Sequence, residues 1–232
     1  MNEMQAALLT ALKLVIAGDA GLIEIVLLSL RVSLTAVILA ALVGMPLGAL
    51  VALKQFPGRG GVVTLLNSLM GLPPVVVGLM VYLLLSRAGP LGEFGLLFTP
   101  NAMIIAQTLL VLPIIAALTR QTVSDLNHEY QDQLRSFRVS TWSAALTLLW
   151  EGRFSLFTAV LAGFGRASAE VGAVMIVGGN INHVTRTMTT AIALETSKGD
   201  LPLALGLGFV LVSIVIVVNA LVFSVQRLES RA

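Results

Sequence analysis

Apolar positions fall in long blocks along this chain, not in alternation and not in narrow stripes. Five blocks stand out, at 25–53, 62–86, 102–119, 155–177 and 201–223. An α-helix rises ~1.5 Å per residue, so each block is long enough to cross an apolar layer of about 30 Å. None shows the period-two alternation of a barrel strand, and backbone groups in lipid must be satisfied within the segment itself. The pattern predicts an all-α polytopic membrane helix bundle with about five spans.

Composition strengthens this reading. Hydrophobic residues make up 57% of the 232 residues and charged residues 11%, whereas a soluble domain carries roughly 25% charge. The chain lacks the charge to clothe a water-facing surface. It has no cysteine, which excludes disulfides and thiolate metal sites. The net charge is +2 and the basic residues are scattered, so no basic patch for nucleic acid is present. The segment 1–24 begins with MNEMQ, which has no basic residue, and its apolar stretch is interrupted by Lys13 and ends at Gly18-Asp19. It does not read as a cleavable signal. An amphipathic helix on the extracytoplasmic surface and a buried N-terminal turn both fit it.

Orientation follows from Lys and Arg, which are retained on the cytoplasmic side of short loops. Lys54 and Arg59 follow the first block with no acid between them. The third connection holds Arg120, Arg135, Arg138 and Arg153, and the tail 224–232 holds Arg227 and Arg231. The other loops hold Arg87, Arg186 and Lys198 with acids nearby. With five spans, the first three regions share one side. The N-terminus is expected outside and the C-terminus in the cytoplasm. Glu24 and Arg31 are expected near the outer interface, Arg31 snorkelling or facing the bundle interior.

The third connection, 121–154, is far longer than a turn between two spans needs. It reads QTVSDLNHEYQDQLRSFRVSTWSAALTLLWEGRF. Helical periodicity continues through it, with Leu134, Phe137 and Trp142 apolar and Asp132, Arg135 and Arg138 polar. This predicts two short helices joined near Val139-Ser140, forming either a docking element or a platform beneath the bundle.

Within the blocks, Gly44-Met45-Pro46-Leu47-Gly48 places small residues at i and i+4, which permits close helix approach. Pro73 and Pro74 break or bend the second block, as a local kink or as part of a gate. Arg166 and Glu170 are four residues apart inside the fourth block, and so are expected to share one helix face. Buried charge of this kind either pairs structurally or lines a watery path. His128 and His183 fall on opposite sides of this topology, and GxxxxGK[ST] is absent. The chain is therefore expected to hydrolyse no ATP and to hold no cofactor or metal.

Three stretches carry a resemblance: LLSLRVSLTAVILAALVGMPLGALVALKQFPGRG, LMGLPPVVVGLMVYLLLSRAGPLG and AGFGRASAEVGAVMIVGGNINHVTRTMTTAIALE. Together they resemble the transmembrane subunit of an importing ATP-binding-cassette transporter of the molybdate and tungstate permease type, closest to the tungstate branch. The resemblance implies the type I importer transmembrane fold over 25–223. It also implies a coupling region near 125–150, a second copy of the chain, two cytoplasmic ATPase subunits carrying ATP and Mg, and an extracytoplasmic oxyanion-binding protein. The family's coupling motif, E-A-A followed by glycine, places its acid on Asp132, its alanines on Gln133 and Leu134, and its glycine on Arg138. Only the acid is chemically kept. The coupling residues are then Asp132, Arg135, Phe137, Arg138 and Trp142, with Pro73, Pro74, Arg166 and Glu170 as pore or gate candidates. The implied function is ATP-driven import of tungstate, or of molybdate. A secondary transporter and a non-transporting membrane scaffold are the alternatives.

Overall fold

The apolar blocks form helices whose ends depart from the block ends in informative places. A computed structural model describes residues 3–229; the side chains of 1–7, 135, 222 and 225–232 lie outside the described residues, among them those of Arg227 and Arg231. The helices in chain order are α1 (Glu3–Ala17), α2 (Ala20–Leu53), α3 (Arg59–Leu69), α4 (Pro74–Leu85), α5 (Pro100–Ser136), α6 (Thr141–Glu151), α7 (Arg153–Ser168), α8 (Gly172–Gly178), α9 (Met188–Lys198) and α10 (Leu201–Glu229). A short 3-10 turn, Gly92–Phe94, lies between α4 and α5. Among the described residues α2, α5 and α10 are each long and apolar enough to cross a membrane. The bent pairs α3 with α4 and α6 with α7 bring the number of spans to as many as five.

Three expectations need correction. The block 155–177 is not one helix, because α7 stops at Ser168 and α8 begins at Gly172. Arg166 lies in the last turn of α7 and Glu170 lies beyond its end, so the shared helix face at spacing four does not exist. The connection 121–154 is not two short helices: α5 runs unbroken for 37 residues to Ser136, and only α6 is a separate element. Their joint lies at 137–140, where it was expected. Helix α9 was not expected at all. The break at Leu72-Pro73-Pro74 is found as anticipated: α3 ends before it, and Pro74 opens α4, the first-turn position where a missing N–H costs nothing.

The chain divides into two compact units. The first comprises residues 1–35, 74–107 and 168–219. Leu22, Met188, Ala191 and Leu207 form one buried cluster there, with Val15 of α1 and Ile25 and Val26 of α2 packed on it. Ala11 of α1 is fully buried, so this helix rests one face on its own unit while Leu9, Leu12 and Ile16 remain exposed. Helices α4 and α8 approach closely, since a Cβ added at Gly78 would sit 2.7 Å from the Cα of Ala173. Buried hydroxyls satisfy the irregular backbone between α8 and α9. Thr185 Oγ1 donates to the Gly178 carbonyl at 2.6 Å and accepts from the Ile181 amide at 2.9 Å. Ser29 Oγ accepts from the Met188 amide at 2.7 Å. Glu195 is buried beside Arg186 at 3.7 Å and Lys198 at 3.1 Å.

The second unit comprises 36–73, 108–167 and 220–232. Its core joins Ala49 and Ala52 of α2, Val123 of α5, and Ala145 and Leu148 of α6. The expected small-residue stripe is used as anticipated. A Cβ on Gly44 would lie 3.2 Å from the Leu112 carbonyl, and one on Gly48 would collide with the Ala116 carbonyl. Arg59 closes the end of α2: its Nε donates to the Val51 carbonyl at 2.9 Å and its Nη2 to the Ala52 carbonyl at 3.0 Å. Those are last-turn acceptors with no helical partner.

Candidate functional site

The elbow between α5 and α6 gathers the coupling candidates within the second unit. α5 terminates in a Schellman motif: the Val139 amide donates to the Leu134 carbonyl at 3.1 Å, and Arg138 takes φ 51°. Glycine fills this left-handed position by preference. The resemblance placed the motif's glycine on Arg138, and the backbone there has the conformation that glycine would supply. A non-glycine residue in that region costs about 1–2 kcal/mol. Arg138→Gly is therefore expected to stabilise the folded chain by about 0.5–1 kcal/mol, after glycine's greater unfolded entropy is deducted. The check is the thermal unfolding midpoint of the detergent-solubilised protein. An unchanged or lowered midpoint would mean that the arginine's contacts already offset the strain.

Ser140 caps the start of α6, its Oγ accepting from the Ser143 amide at 3.2 Å. The helix is two-faced. Ala144, Ala145 and Leu148 are buried, while Trp142, Leu146 and Trp150 are exposed. These three recur at every fourth position and so form one apolar stripe. Phe137, at the elbow, is 79% exposed. It borders a cavity of about 270 Å³ with Tyr130, Leu134 and Leu148. Arg153 folds back on the far end, donating to the Trp150 carbonyl at 2.9 Å and sitting 5.3 Å over its ring. Asp132 is exposed on α5. The Arg135 side chain lies outside the described residues. The sequence reading missed Leu146 and Trp150, although their spacing from Trp142 was available to find them.

The gate candidates are placed individually. Pro73 is exposed in the break, and Pro74 is half-buried as the first residue of α4. Arg166 is exposed. Glu170 is buried, and its Oε1 accepts from the Ala173 amide at 3.2 Å at the start of α8. Its backbone carbonyl accepts from Thr189 Oγ1 at 2.8 Å. Glu170 thus ties the first turns of α8 and α9 together, a part it plays whether or not it meets a passing ion.

The chain is thus a helix bundle with up to five apolar spans and an elbow that exposes Trp142, Leu146 and Trp150. Residues 44–232 match the family of binding-protein-dependent transport system inner membrane components, and the chain belongs to that family. It is a permease-type transmembrane subunit of the ATP-binding-cassette importers, related to oxyanion permeases. A probable anion transporter permease of Haloferax volcanii is 43% identical over 86% of this chain and 88% of its own length. A tungstate uptake permease of Peptoclostridium acidaminophilum is 42% identical over 94% of this chain and 95% of its own. A tungstate uptake permease of Campylobacter jejuni is 43% identical over 70% of this chain and 68% of its own. Permeases of this family work with an ATPase and a substrate-binding protein.

Proposed function

We propose that this chain lines the translocation pathway of an ATP-driven tungstate importer, with molybdate as the alternative cargo. The observation that carries the reading is the end-to-end likeness to a tungstate uptake permease. Two copies enclose the path, two cytoplasmic ATPase subunits drive it, and an extracytoplasmic protein delivers the oxyanion. Hydroxyls and backbone donors suit the passage of an anion that must also be released. Reconstitution of the chain with its ATPase and binding protein, fed labelled tungstate, tests this. Uptake should need ATP and survive collapse of the proton gradient. Uptake that follows the gradient would make the chain a secondary transporter, and a competent complex without uptake would make it a scaffold.

The elbow of α5 and α6 is the coupling element in this reading, and it faces the cytoplasm with Lys54, Arg59 and the tail. Reporter fusions after Arg59 and Ala232 should read cytoplasm, and one after Gly92 should read outside. A cytoplasmic signal at Gly92 would reverse the orientation.

The pore is a symmetric homodimer, since identical chains most often close with two-fold symmetry. Mass measurement of the solubilised complex should find two copies of this chain. A working complex with one copy, or with a different second permease, would remove the homodimer.

A further inference from the structure

The second unit contains a cavity of about 660 Å³ between the end of α2, the lower part of α5 and the elbow. Arg59, His128 and Arg138 line it, with Gln55, Asn127 and Gln131 among the other walls. Among the described residues, none of those lining it is Asp or Glu. The separation of charge along α5 is periodic. Ser124, Asn127, His128, Gln131 and Leu134 follow helical spacing and face the cavity. Asp125, Glu129 and Asp132 occupy positions on the other side of the same helix.

Three further features add to the positive character of the cavity, in whose wall His128 and Arg138 are exposed. Arg59 is anchored by its two bonds to the α2 carbonyls, which hold its guanidinium at the cavity wall. Thr141, the first residue of the 11-residue α6, is part of the wall, where a helix presents its positive end. Arg138 holds a left-handed conformation that glycine would adopt without strain. Strain kept at one residue points to a use for its side chain.

We propose that this cavity binds a small tetrahedral oxyanion. Two arginines supply charge, and the His128 ring with the amide side chains of Gln55, Asn127 and Gln131 completes the hydrogen bonding. Such charge-assisted bonds are shorter and stronger than neutral ones. The ligand comes either from the carried anion after passage or from free inorganic phosphate, which share this chemistry. The site shares Arg138 and Thr141 with the elbow proposed as the coupling element, so its binding is measured on the chain without its ATPase.

The full-length chain, purified in detergent, is titrated by calorimetry with sodium tungstate and separately with inorganic phosphate. Ionic strength is held constant with chloride. Saturable binding of at least one is expected. Arg138→Gly should weaken it tenfold or more, the scale of one charge-assisted hydrogen bond. Arg31→Ala, which removes an exposed charge outside the cavity, should leave it unchanged. Preference for tungstate identifies the carried anion as the ligand, and equal or better binding of phosphate identifies the phosphate pool; both support the site. His128→Ala, a second change in the cavity wall, carries the same comparison. The proposal is overturned by absence of saturable binding of either anion, or by equal affinity in the wild type and the cavity variant. An equal loss in Arg31→Ala also overturns it.

Discussion

Phe137→Asp is expected to leave the protein inserted and folded, yet to sever it from its ATPase. The side chain is 79% exposed at the tip of the elbow, so the isolated chain loses little when it changes. Exposed substitutions away from special features usually fall within about 0.5 kcal/mol. In the proposed complex the ring enters an apolar cleft of the partner, beside the stripe of Trp142, Leu146 and Trp150. Buried aromatics of this kind cost about 2 kcal/mol or more when removed from an interface, and a carboxylate placed there adds a desolvation penalty. ATPase affinity should fall by roughly 30-fold or more, and substrate-stimulated hydrolysis in vesicles should fall with it. Arg87→Ala, in a separate exposed loop, serves as the comparison and should keep both. Copurification and stimulated hydrolysis at the unaltered level in Phe137→Asp would return the elbow to a platform with no part in coupling.

Gly48→Ala is expected to have the largest effect on folding of any single methyl group in the second unit. The added carbon would collide with the Ala116 carbonyl and lie 2.9 Å from Thr119 Cβ and 3.0 Å from the Arg120 amide nitrogen. Two of these three are backbone atoms of a long helix, which cannot turn aside as a side-chain tip does. α2 and α5 would have to separate locally, losing contact along the Ala49, Ala52 and Val123 cluster. Overpacking of this kind costs about 1–3 kcal/mol and sometimes more, against a total stability of about 5–15 kcal/mol. Gly60→Ala is the control, because nothing lies within 4 Å of its added carbon. It sits in α3, where alanine should stabilise by about 0.5–1 kcal/mol. Unfolding midpoints and the monodisperse yield after solubilisation should move in opposite directions for the two. If Gly48→Ala unfolds at the wild-type temperature, the two helices have slack that the structure does not show.

The parts of the fold that could be read from sequence were those governed by bulk hydrophobicity. The blocks at 25–53 and 201–223 become α2 and α10 because nothing within them argues against a helix strongly enough to break it. Pro73 and Pro74 announced their break, since a proline cannot donate and crowds the preceding turn. The break at Ala169-Glu170-Val171 had no such signal. It depends on Glu170 capping α8 and receiving Thr189, a tertiary arrangement invisible to a periodicity argument. Helix α9 was hidden for a similar reason. Its sequence, MTTAIALETSK, is rich in threonine, a poor helix former. It holds through contacts made elsewhere in the chain, Met188 through Ser29 and Glu195 through Arg186. At the elbow, the joint was legible from polarity. The stripe through Leu146 and Trp150 went unread because helical spacing was not carried past Trp142.

Arg59 has a consequence for how the protein is made. In the proposed orientation its charge, with that of Lys54, helps hold the first loop back during membrane insertion, when the residues around it are still being synthesised. In the finished fold the same guanidinium is committed to the Val51 and Ala52 carbonyls. One side chain thus acts at two different times: first as a free charge setting which way the chain threads, later as the cap that finishes α2. Lys54 is exposed and has only the first of these duties to lose. Neutralising Lys54 therefore probes biogenesis alone, whereas neutralising Arg59 disturbs threading and the mature helix end together.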